Sequence, residues 1–167
     1  MPFILNVKRA WIVAALALAA CTQPWQSVAP GTDVSTLIAR LGPPRETYKL
    51  PDGGTRLMWP TQPMGFTTTA ADVDTEGKVV SLRQVLQVSE FNRARVGEWT
   101  RTDVLTNFGR PAETAFFART QREVWSYRYM ENNIDPMMFH FYFDPEGILR
   151  LTQTTPDPMR ERNLRRF

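Results

Sequence analysis

A stretch of twelve residues is written twice in this chain, and the repetition restricts the possible folds more than any other feature. The later copy is Thr100-Arg101-Thr102-Asp103-Val104-Leu105-Thr106-Asn107-Phe108-Gly109-Arg110-Pro111. The earlier is Asp33-Val34-Ser35-Thr36-Leu37-Ile38-Ala39-Arg40-Leu41-Gly42-Pro43-Pro44. Gly42 and Gly109 stand 67 residues apart, as do Pro44 and Pro111, and Glu46-Thr47 recurs at the same spacing as Glu113-Thr114. Each copy has the parts of a short helix and its stop. Val104, Leu105 and Phe108 share one apolar face, and so do Leu37, Ile38 and Leu41. Thr100 with Asp103 makes a capping box with a shortened acid, and Asp33 or Thr32 can cap the first copy. Glycine supplies the left-handed residue that ends the helix, and the following proline prevents its resumption. A period of 67 is too long for a solenoid, so the expectation is two small subdomains.

Strand signals follow each helix. In the first half they cover 46–50, 55–59, 65–73 and 79–88, with turns at Pro51-Asp52-Gly53-Gly54 and Asp74-Thr75-Glu76-Gly77. In the second half they cover 113–118, 123–130, 137–143 and 148–154, with the turn Asp144-Pro145-Glu146-Gly147. Trp125, Tyr127 and Tyr129 alternate onto one face; Phe139, Phe141 and Phe143 alternate against Met138, His140 and Tyr142. Trp59 is read as the counterpart of Trp125. The expected class is α+β: two tandem units, each a short helix followed by an antiparallel sheet of about four strands. The boundaries are 32–88 for the first unit, 89–97 for a polar linker, 98–156 for the second unit and 157–167 for a short basic tail.

The segment ahead of these units reads as a leader. Lys8 and Arg9 precede an apolar run from Ala10 to Ala20, which is too short to span a bilayer and suits a signal peptide over 1–20. The run ends Leu18-Ala19-Ala20-Cys21, the pattern of a bacterial lipobox. The thiol would accept the diacylglycerol, and the small residues fit the peptidase. Cys21 is the chain's single cysteine, so no disulfide within the chain competes for it. The predicted anchor is thus an acylated Cys21, followed by a tether over 21–31 that contains Pro24 and Pro30. No aspartate follows Cys21, so the expected address is the periplasmic face of the outer membrane. Without Lys8 and Arg9, 18 of the 20 basic side chains remain against 17 acidic ones, and no basic stripe appears; this argues against a nucleic-acid partner.

Catalytic and metal readings find little to stand on. One histidine and one cysteine make no ligand cluster, so no metal or other cofactor is expected, and no small-molecule substrate is evident. His140 reads as a half-buried sheet residue rather than a general base. Asp144 and Glu146, echoed by Asp74 and Glu76, read as turn residues rather than paired acids. The aromatic stripe of the second half is the remaining feature. The third strand is Thr67-Thr68-Thr69-Ala70-Ala71 in the first half and Met138-Phe139-His140-Phe141-Tyr142 in the second. Heavy side chains on both faces leave two readings, packing against the first unit or a partner surface. The candidate contacts are Met138, His140 and Tyr142, with Tyr127 or Arg128 beside them, on the sheet face away from the helix.

The lipobox, the tether and a helix of the form Gly-x-x-x-x-x-[Val/Leu]-x-x-x-[Leu/Phe]-Gly-x-Pro resemble the BamE (SmpA/OmlA) family of outer-membrane lipoproteins. Gly31, Leu37, Leu41, Gly42 and Pro44 carry the match in the first half; Val104, Phe108, Gly109 and Pro111 carry it in the second, where Gly97 sits one residue early. The tandem arrangement is also similar to the β-lactamase-inhibitor-like proteins, whereas BamE proteins hold one copy. The resemblance implies a non-enzymatic, lipid-anchored scaffold or binding protein facing the periplasm, accessory to envelope or outer-membrane protein assembly. The alternative it implies is a protein that binds and inhibits an enzyme.

Overall fold

The computed structural model describes residues 28–159. The leader, Cys21 and the tail from 160 onward lie outside the described residues. The fold is α+β, with two four-stranded antiparallel sheets and a few short helices. In chain order these are α1 (Val34–Leu41), β1 (Glu46–Lys49), β2 (Thr55–Pro60), β3 (Thr68–Val73), β4 (Val79–Gln84), α2 (Val88–Phe91) and α3 (Arg101–Phe108), then β5 (Glu113–Phe117), β6 (Arg122–Glu131), β7 (Asp135–Phe143) and β8 (Leu149–Pro156). Both sheets are meanders, β1-β2-β3-β4 and β5-β6-β7-β8, as neighbouring strands joined by short connections require. The fourth strand ends at Gln84, short of the expected Val88. There the Gln84 side chain accepts hydrogen bonds from the amides of Thr68 (2.8 Å) and Leu86 (3.0 Å), and the chain turns into α2.

The helix ends show why glycine stands in both copies. Asp33 caps α1 through the Ser35 amide, and Thr100 and Asp103 form the capping box on α3. Gly42 has φ 79° and ψ 179°, and Gly109 has φ 77° and ψ −166°. This is the positive-φ, extended-ψ region that only glycine enters freely, rather than the left-handed helical region expected. Each cap amide still donates four residues back, to Ile38 and Leu105, both at 2.8 Å. A β-carbon on Gly109 would also stand 2.9 Å from Glu46 Oε2 and 3.2 Å from Met58 Sδ, so those side chains would have to shift to admit it.

Packing arranges these elements as alternating layers. On one face of the first sheet, Leu57, Ala71, Val73 and Val79 bury Leu37 of α1. On its other face, Met58 and Ala70 join one cluster with Phe91 of α2, Val104 and Phe108 of α3, and Trp125, Tyr127, Phe139 and Phe141 of the second sheet. The stack therefore runs α1, first sheet, α2 with α3, second sheet. Arg56 ties the middle layers together. Its guanidinium is held by Asp72 on the neighbouring strand and donates to the Thr106 carbonyl (3.1 Å) and Asn107 Oδ1 (3.2 Å) near the end of α3.

Two sequence expectations change here. The linker at 89–97 holds a core residue: Phe91 is buried and stacks on Phe139 at 4.3 Å with the rings 8° apart. The tail is docked at its start. Asp157 is fully buried, its amide donates to the Pro136 carbonyl, and its carboxylate lies 3.1 Å from Arg128 Nε.

The backbone hydrogen bonds of the two halves correspond closely. Val34 donates to the Gly77 carbonyl and Arg101 to that of Gly147; Val79 donates to Thr32 and Leu149 to Trp99; Arg45 donates to Met58 and Ala112 to Ser126. Each third strand has a register shift near its end, at Asp72/Val73 and at Tyr142/Phe143. The helix-ending carbonyls are taken alike, Gly42 by Trp59 Nε1 (2.9 Å) and Gly109 by the Tyr127 hydroxyl (2.7 Å). By role the counterpart of Trp59 is Tyr127, which corrects the pairing of Trp59 with Trp125. Trp125 instead donates to Glu123.

Candidate interaction surface

The back face of the second sheet is built by alternation on four strands. Register sets Glu113 beside Ser126, Ser126 beside His140, and His140 beside Gln153. One step along, Ala115, Val124, Tyr142 and Leu151 form the next row. Phe117 lies on the same face of β5, and its ring runs nearly parallel to that of Tyr142 at 6.5 Å. Val124 is buried, while Phe117 is 51% exposed and Leu151 42% exposed. The result is an apolar strip, Phe117 to Tyr142 to Leu151, beside a polar row. All five residues of β5 are exposed.

The five candidate contacts separate on this surface. His140 and Tyr142 are half-buried on the open face. Tyr127 is fully buried on the helix side, where its hydroxyl serves Gly109, so it leaves the contact set. Met138 is buried. Arg128 is only 9% exposed: Nη1 donates to the Pro63 carbonyl (2.9 Å), and the carboxylate of Asp157 faces Nε. The cause is a difference in strand length. The pairing of β5 with β6 begins at Glu113 and Ser126, so the later part of β6 has a free edge. The loop after β2 fills it, with Gln62 donating to the Arg128 carbonyl at 2.7 Å. Phe117 and Leu151 were missed. Leu151 was legible only through register, since it sits directly opposite Tyr142. Phe117 was legible from the alternation Glu113, Ala115, Phe117.

The polar row is hydrogen-bonded throughout its centre. His140 Nδ1 lies 2.8 Å from Ser126 Oγ, and Nε2 lies 2.8 Å from Thr155 Oγ1. A neutral imidazole can donate to one hydroxyl and accept from the other. Burial pushes the His140 imidazole below its ordinary value, and the charge of Glu113 pulls it partly back. The histidine therefore stays neutral near pH 7 and serves as a cross-strand brace. Tyr142 donates to Gln153 Oε1 at 2.8 Å.

Other sites are sparse. Among the described residues no group of three or more His, Cys, Asp or Glu side chains could hold a metal ion. Among the described residues no helix is long and apolar enough to cross a membrane. A cleft of about 700 Å³ lies elsewhere, between the end of the first sheet and the β6–β7 turn, and contains none of the five candidate contacts. Comparison with protein-family models, with curated proteins and with solved structures finds no match.

Proposed function

We propose that this chain is a lipid-anchored, periplasm-facing binding or scaffold protein of the outer membrane. It is built from two copies of one helix-then-sheet unit, over about 32–88 and 98–156, and binds a protein partner through the back face of its second sheet. The reading as a tandem copy rests on the paired hydrogen bonds of the two halves, the like Gly42 and Gly109 caps and the two register shifts. The BamE-like resemblance suggests the address and the non-enzymatic role.

One observation carries the partner face. The back face of the first sheet is covered by α3, through Met58, Ala70 and Arg56. The corresponding face of the second sheet has Val124, His140 and Tyr142 in those rows; Val124 is buried, and the half-buried His140 and Tyr142 lie beside the exposed Phe117 and Leu151. In a stack of helix and sheet layers, this is the face on which the next helix would rest. A short amphipathic helix of a partner fits it by the same logic. Tyrosine and aromatic anchors of this kind can carry about 2 kcal/mol each at an interface.

Tyr142→Ala tests the assignment. Its side chain is half-exposed and, among the described residues, its hydroxyl bonds only to Gln153, so the melting temperature should fall by a few degrees at most, on the order of 1 kcal/mol. Partner recovered by pull-down from detergent-solubilised envelopes should fall several-fold. A large stability loss with unchanged recovery would make Tyr142 a packing residue. The anchor is tested by Cys21→Ser with a fatty-acid probe. Wild-type chain should label and be processed; the variant should remain unlabelled as precursor, because the thiol is the acceptor. Equal labelling of the two removes the anchor from the account.

A further inference from the structure

A cleft of about 700 Å³ is walled by the end of the β3–β4 ladder, the start of α2 and the turn between β6 and β7. Among the described residues no side chain along its wall is charged, although 22% of the chain's residues are. Gln84, Gln87, Asn132 and Asn133 supply amides, Thr69 a hydroxyl and Phe66 an aromatic ring. Thr69 and Gln84 are directly paired across the ladder, so both belong to one face. Gln84 is fixed, since its Oε1 accepts from two backbone amides, at 2.8 and 3.0 Å, and its NH2 group is left as the part of the amide available to the cleft. Asn132 and Asn133 are set by the turn, with φ 51° and 59° and the Ile134 amide donating to the Glu131 carbonyl.

We infer that this cleft binds an uncharged oligosaccharide. Among the described residues the wall has no Arg or Lys to receive a phosphate or carboxylate, and no Asp or Glu to receive a cation. A purely apolar ligand would strip water from the amides without replacing their hydrogen bonds, a cost of about 1–3 kcal/mol for each group left unpaired. A sugar meets both parts of the wall. Each side-chain amide offers a donor and an acceptor to neighbouring hydroxyls, and the apolar face of a pyranose can rest on Phe66. The inference is independent of the partner face, which shares none of these residues, and its test uses no partner protein.

The experiment is calorimetric titration of the full chain, solubilised in a non-glycosidic detergent, with maltotetraose, cellotetraose and chitotetraose in turn. At least one should bind saturably. Which one binds separates a glucan from an N-acetylated glycan. The double substitution Asn132→Gly with Asn133→Gly deletes two amides yet keeps a turn that needs positive φ, and should weaken binding about tenfold or more. Gln84→Glu keeps the acceptor for Thr68 and Leu86 while placing a negative charge in the cleft, and should weaken it similarly. The glycine pair decides the matter if Gln84→Glu fails to fold. Folded wild-type chain that binds none of the three sugars overturns the proposal. So does equal binding by wild type and the glycine pair, or tighter binding of an acetylated, amidated tetra-alanine than of every sugar.

Discussion

Phe91→Ala is expected to remove about 3–5 kcal/mol of stability, the cost of emptying a well-packed aromatic site that cannot fully collapse. Phe91 is 1% exposed. Its ring lies 4.3 Å from Phe139, 5.1 Å from Phe108 and 5.2 Å from Tyr129, so one side chain joins α2, α3 and the second sheet. Val85, Leu86 and Met58 of the first half belong to the same cluster, so the loss should be felt by both sheets. Thermal unfolding should show one transition lowered by roughly 10 °C. Val88→Ala, at a 40% exposed position three residues earlier, should shift it little. A Phe91→Ala chain that melts like the wild type would mean that the segment from 89 to 97 is the polar connector its composition suggests.

Asp72→Ala is expected to cost about 3 kcal/mol or more, because it leaves the Arg56 guanidinium buried without its carboxylate. Arg56 has a side chain 8% exposed, and Arg83 shares the same acid at 2.9 Å. Burial acts to raise the Asp72 carboxyl, but the hydrogen bonds and charges of Arg56 and Arg83 outweigh it and bring it to about 2. The folded value thus lies below the ordinary carboxylate value of 3.8. The sign follows: the contribution, about 2 kcal/mol, is complete above about pH 4 and is lost as pH falls toward about 2. Acid unfolding followed by circular dichroism should therefore show a steeper stability loss between about pH 4 and 2 in wild type than in Asp72→Asn. Parallel curves would indicate that solvent screens the pair. Replacing Arg56 and Asp72 together with Met and Leu should recover much of the loss, since the pair's geometry and not its charge fills the space.

Much of the architecture was legible because local rules and tertiary packing agree. The capping box at Thr100, the Gly-x-Pro stops and the Asp-x-Glu-Gly turns are local devices, and each lies where its residues place it. The alternation of Phe139, Phe141 and Phe143 marked the buried face of β7, and those rings do pack on the helix layer. The misses share a different cause. Phe91 is one aromatic in a polar stretch, and no periodicity can show that three distant elements close around it. Tyr127 was displaced from its role by one strand step, because the second strands align through their hydrogen bonds to Gly42 and Gly109 and not through their tryptophans. Arg128 is covered by a loop from the other half and by Asp157, contacts 65 and 29 residues away in sequence, and Met138 is buried as well. Alternation identifies a face, but only register and strand length show how much of it remains open.

The central claim is that the back face of the second sheet meets a protein partner. A photo-crosslinking side chain placed at Phe117, Tyr142 or Leu151 in intact cells tests it most directly. Val80 and Val96, 56% and 53% exposed, serve as controls outside this face. The account predicts one discrete adduct shared by the three open-face positions and absent from the two controls. No adduct at any of the three, or the same adducts at Val80 and Val96, would contradict it.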